Sequence, residues 1–70
     1  MSAYFIEVTK MSGMKTYFGP DMEELFYPKE RLKDEWGYSS SFDAKNNIPK
    51  VEVNCAAMGC AVNKVMVVET

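Results

Sequence analysis

From Ala3 to Lys10 the chain reads AYFIEVTK, and its side chains fall into two alternating sets, as on a strand. Tyr4, Ile6 and Val8 form one set and Phe5, Glu7 and Thr9 the other, with the aromatic and β-branched enrichment of a strand. Met11-Ser12-Gly13 comes next, with a glycine able to take a positive φ, and Met14 to Phe18 resumes the pattern. A β-hairpin is predicted, ended by Gly19-Pro20.

The pattern then changes. Asp21 with Glu24 three positions on has the form of a capping box, which predicts a helical turn from Met22. Pro28 interrupts it. As the first residue of a second helical start, Pro28 would set Leu32 and Trp36 on one face, with Gly37 closing the turn. The alternative is an irregular aromatic loop through Leu25, Phe26 and Tyr27. Ser39 to Ser41 reads as a loop, or as a short edge strand ending at Phe42.

Two readings compete in the last third. KVEVN, Lys50 to Asn54, alternates like a strand; against that, Pro49 and Gly59 stand where helix punctuation puts them. The punctuation favours a helix from Pro49 through Met58, with Val51, Cys55 and Met58 on one face. After Gly59, Ala61 to Glu69 is the clearest strand of the sequence, and its valines suggest a central position. The sum is an α+β fold, a small antiparallel sheet of three or four strands with one or two short helices packed on one face. It spans residues 1–70 as a single domain.

Composition narrows the function. With 70 residues and 47% hydrophobic types, the chain can bury only a thin core. Eight basic and ten acidic residues are interspersed, for a net charge of -2, so the clustered positive face of a nucleic-acid binder is missing. There is no histidine, the side chain that most readily moves protons near neutral pH. A zinc site without histidine needs about four thiolates, and the chain has 2 cysteines. No segment approaches the apolar length of a membrane span, and MSAYFIEVTK lacks the basic start and long apolar middle of a signal peptide. A cytoplasmic location is expected, with reduced thiols.

Cys55 and Cys60 are separated by Ala56, Ala57, Met58 and Gly59, not by the two residues of a thioredoxin-like pair. Their apolar neighbours fit two small buried hydrophobes better than a redox couple. Among the acids, Glu23 and Glu24 are adjacent and diverge by about 100° on a helix, so they cannot share a proton. Glu30 and Asp34 share a face but lie beside Arg31 and Lys33, as on a solvated surface. No enzyme is predicted, and no cofactor or metal.

The aromatic load is the more telling feature. Tyr17, Phe18, Phe26, Tyr27, Trp36, Tyr38 and Phe42 crowd into one stretch. A small core can use three or four such rings. The others are left partly exposed, where they either shield the core or anchor a protein interface. Tyr27, Arg31, Trp36 and Tyr38 are the expected anchors.

The strand AYFIEV, the glycine turn, the strand KTYF, Phe42 before Asp43-Ala44, and the closing AAMGCAVNKVMVVE together resemble a pattern common among small phage-encoded accessory proteins. The chain departs from that pattern in placing Pro49 and the VEV run where an alanine-rich helix would stand. The resemblance implies a protein that binds a host enzyme or regulator in the host cytoplasm, of transcription or of nuclease-based defence, and alters its activity without catalysis. The expected function is therefore a non-catalytic protein-binding module acting by occlusion. Two alternatives stay open: aromatic stacking on single-stranded nucleic acid near Lys29, Arg31 and Lys33, which the four interleaved acids weaken, and a thiol redox sensor. A homodimer through an exposed sheet edge is compatible with each.

Overall fold

The computed structural model describes residues 2–59 and 61–70. Strands β1 (Tyr4–Lys10) and β2 (Lys15–Phe18) pair antiparallel, Ile6 opposite Phe18 and Val8 opposite Thr16. The turn between them depends on Gly13 at φ 93°, a conformation that favours a residue without a β-carbon. β3 (Glu24–Leu25) adds to β2, and β4 (Val62–Glu69) adds to the other side of β1, giving one four-stranded sheet in the order β3-β2-β1-β4.

Helices α1 (Ser41–Asn46) and α2 (Ile48–Ala57) lie on one face of the sheet. Ile6, Val8 and Phe18 from the strands meet Tyr38, Ala44, Val51 and Cys55 there, with Val62, Val65 and Val67 of β4 packed against them. The α+β architecture expected from the sequence is the one observed. α2 begins one residue before Pro49 and ends against Gly59, whose φ of 74° supplies the left-handed stop. Of the face predicted for it, Val51 and Cys55 are buried, while Met58, at the C-cap, is exposed.

The other face of the sheet is covered without regular helices. Two 3-10 turns, Lys29–Arg31 and Asp34–Trp36, flank an extended Leu32, in place of the single helical start at Pro28. Leu32 and Trp36 still reach the same side and close over Ala3, Phe5 and Tyr17. Gly37 does not act as a stop. A β-carbon there would stand 2.8 Å from the Phe5 ring, so glycine is needed for the chain to lie flat on that ring. Tyr38 then pairs its backbone with Tyr4 in both directions, at 2.9 and 2.7 Å.

Three further expectations are corrected. No helical turn starts at Met22, which takes φ 58°; Glu24 belongs to a strand, and its carboxylate turns to the sheet instead of back to Asp21. Ser39 to Ser41 is neither loop nor strand throughout: Ser40 caps α1, its Oγ accepting from the N–H groups of Phe42 and Asp43 at 3.2 and 3.5 Å. β4 is an edge strand, not a central one. Its valines are accounted for by the two layers it touches: Val65 and Val67 face the helices, and Val68 joins the cluster around Phe5.

Candidate binding cleft

Thr16 and Lys10 both present their side chains on the helix-bearing face, and Glu24 reaches them from β3. The Thr16 hydroxyl donates to Glu24 Oε2 at 2.7 Å, and the Lys10 ammonium approaches the same oxygen at 3.0 Å. The side chains of Lys10 and Glu24 are only 16% and 8% exposed, so the pair is largely withdrawn from solvent screening. This anchor ties the two-residue strand β3 to β1 and β2, alongside its pairing with β2 and the packing of Leu25. It also sets the directions of the next side chains along the chain, because successive residues leave a strand on opposite sides.

Those side chains are Phe26 and Tyr27, 64% and 48% exposed. The Phe26 ring lies 5.4 Å from the Lys10 ammonium. Tyr27 meets Trp36 with ring centroids 5.4 Å apart and planes tilted by 37°. Trp36 arrives from the second 3-10 turn, and its carbonyl rests against Gly19, where any β-carbon would overlap it. Its ring carries Lys33 at 5.4 Å on the solvent side. Both lysines are at the range of a cation–π contact, so these rings already accept cations from the chain itself.

Between these elements lies an open cleft of about 680 Å³, lined by Phe26, Tyr27 and Trp36 together with Asp21, Glu23 and Glu24. Glu24 is satisfied by Thr16 and Lys10, which leaves the exposed Asp21 and Glu23 to set the sign of the opening. Rings plus carboxylates favour a basic or aromatic side chain. They oppose a phosphate backbone, because Lys10 is paired with Glu24 and neither lysine lines the opening, whereas the carboxylates do.

The four expected anchors separate. Tyr27 and Trp36 come together in the cleft. Arg31 is exposed on the first 3-10 turn but does not line it. Tyr38 is corrected outright: it is 6% exposed and sits in the core with Ile6, Phe18 and Val51, so it cannot reach a partner. Its hydroxyl is buried without a hydrogen-bond partner, and burial, with the Asp43 carboxylate, raises its pKa above the ordinary value. Tyr17 and Phe18 are buried as well, leaving Phe26, Tyr27 and Phe42 as the exposed rings of the stretch.

Phe26, Glu24 and Gly19 join the site, although none of them is among the expected anchors. The one signal for Phe26 is its place next to Leu25, two residues before Pro28, since of two neighbours in an extended chain only one can face inward.

The remaining chemistry points inward. On the face opposite the helices, the Tyr17 hydroxyl donates to Glu7 Oε2 at 3.2 Å, and Lys15 lies 4.0 Å from Glu7 Oε1. Burial, followed by the charge and hydrogen bond of Glu7, pushes the Tyr17 pKa up to about 12. Cys55 is 2% exposed within the helix-face core, beyond the reach of a solvent-borne oxidant. The pairing of Cys55 with Cys60 lies outside the described residues. Among the described residues no helix is long and apolar enough to cross a membrane, and no three His, Cys, Asp or Glu side chains gather as a metal ion would require. No family model matches the chain, and no curated protein or solved structure matches it.

Proposed function

We propose that this protein is a non-catalytic binding module that acts by occlusion, with the cleft of Phe26, Tyr27 and Trp36 as its contact surface. The observation that carries this reading is the exposure of two adjacent aromatic rings directly after a short strand that is anchored by a largely buried ion pair. Exposed rings held rigid cost little entropy to bind, and such rings are the usual anchors of an interface. Asp21 and Glu23 beside them select a partner that offers an arginine or lysine to the cleft. The partner class is that implied by the phage accessory pattern, a host enzyme or regulator of transcription or nuclease-based defence, whose working surface the bound module covers.

The test is affinity capture followed by titration of the purified partner. Phe26→Ala/Tyr27→Ala should weaken that binding by ~30-fold or more, the loss expected for hot-spot residues. Phe42→Ala, equally exposed but on α1, should leave it unchanged. A partner that binds the double variant as tightly as the parent chain, with far-UV circular dichroism unaltered, would remove the cleft from the mechanism.

A further inference from the structure

The outer edge of β4 lies at the opposite side of the sheet from the cleft, and its hydrogen-bonding groups can be assigned. Thr70 donates its N–H to Ala3 at 3.0 Å, and along the ladder Val68 opposes Phe5, Met66 opposes Glu7 and Lys64 opposes Thr9. Backbone direction alternates along a strand, so the even-numbered positions of β4 bond to β1. The N–H and C=O of Val65, Val67 and Glu69 therefore point outward, away from β1. The ladder irregularity falls between Thr9 and Lys10, opposite the start of β4, so the strand runs regular from Lys64 to Glu69. It contains no proline, and Lys64 at its beginning is its only basic residue. The usual devices that protect an edge are missing along most of its length.

We propose that this edge pairs with β4 of a second copy, antiparallel, with Met66 on the two-fold axis. Sheet continuity requires facing residues to share a face, so the axis must pass through a residue and not between two. Placed at Lys64, it would set two ammonium groups against each other. Placed at Val67, it would press each Glu69 carboxylate against a Val65. Placed at Val65, it would run the ladder into the irregular start of the strand. At Met66 the outward backbone groups of Val65 meet those of Val67 in the other copy, reciprocally on both sides of the axis. On the side-chain level Val65 then faces Val67, the half-exposed Met66 faces its own mate, Lys64 faces Val68, and Glu69 faces the amide of Asn63. No like charges oppose one another, and a net charge of -2 per chain adds little repulsion. The facing pattern Val-Met-Val reads the same in both directions, which is what an isologous contact demands and what an unrelated strand would match only by accident. The dimer carries an eight-stranded sheet with one aromatic cleft at each outer end.

Three variants and one mass measurement test this without relying on the cleft. Sedimentation equilibrium of the intact protein should show a concentration-dependent monomer–dimer exchange. Met66→Lys, at an exposed position, should give a folded monomer at every concentration. In a Cys60→Ser background, Met66→Cys should oxidise rapidly to a covalent dimer, whereas Lys64→Cys, whose mate across the axis is Val68, should not. A wild-type chain that stays monomeric throughout, a dimer untouched by Met66→Lys, or equal cross-linking at positions 64 and 66 would each overturn the pairing.

Discussion

A β-carbon on Gly19 would overlap the carbonyl oxygen of Trp36, so the end of β2 and the second 3-10 turn can lie together only because position 19 carries no side chain. That contact sets one wall of the cleft. Gly19→Ala must drive the Trp36 turn outward, and overpacking of this kind costs about 1–3 kcal/mol. Urea unfolding should show the loss, and Trp36 fluorescence in the folded state should shift to the red as the ring gains solvent.

Glu24 holds the other wall. Glu24→Ala leaves the Lys10 ammonium largely buried beside an unpaired Thr16 hydroxyl, and breaking a pair so enclosed costs about 3–5 kcal/mol. Glu24→Gln keeps an acceptor for Thr16 and should cost less. The double variant Lys10→Met/Glu24→Leu should regain much of the loss, because it removes both desolvated charges together. Chemical denaturation of the series checks the order.

Two buried phenols should respond oppositely to loss of their oxygen. Tyr38→Phe removes a hydroxyl that has no partner, so stability should hold or rise by about 1 kcal/mol. Tyr17→Phe removes the donor to Glu7, a hydrogen bond to a group that carries charge when ionised, and should cost about 1.5–3 kcal/mol. Equal effects in the two variants would mean that the Tyr38 oxygen is satisfied after all.

Alkaline pH should weaken the fold through the same phenols. Tyr17 titrates near 10.0 in the unfolded chain and about 12 in the folded protein, so within that window the folded state retains a proton that the unfolded state has lost. Its contribution is complete below pH 10.0 and is lost as pH rises towards about 12. Denaturation midpoints measured across this range should fall less steeply for Tyr17→Phe than for the parent chain. Part of the slope that remains comes from Tyr38, whose pKa is raised in the same direction.

How much of this was legible in the sequence depended on whether local and long-range demands agreed. The first hairpin was readable because alternation and Gly13 agreed, and α2 because Pro49 and Gly59 outweighed the strand-like alternation of KVEVN. The Asp21–Glu24 spacing misled because a capping box is a local signal, and the same carboxylate found Thr16 and Lys10 on distant strands. α1 escaped because six residues are too few to show a helical period, although Ser40 and Asp43 carry its start signal. Valine content could not tell an edge from the middle of β4, since both layers it touches want apolar side chains. That Tyr27 and Trp36 would reach the surface was readable from the aromatic load, but Tyr38 was not separable from them: its pairing with Tyr4 draws it under the helices.

The strand order has a kinetic consequence. Within this sheet the inner strand β1 is made before the others and its neighbour β4 after them, with Tyr4 lying opposite Glu69. During synthesis β1 must therefore wait, one flank uncovered, until the helices and the other strands of this sheet have left the ribosome. Its closing contacts join residues as distant in sequence as Tyr4 and Glu69, the kind that slows folding most. The nascent form is thus the species most in need of a chaperone, and removing the last strand should leave a collapsed, aggregation-prone chain and not a smaller folded one.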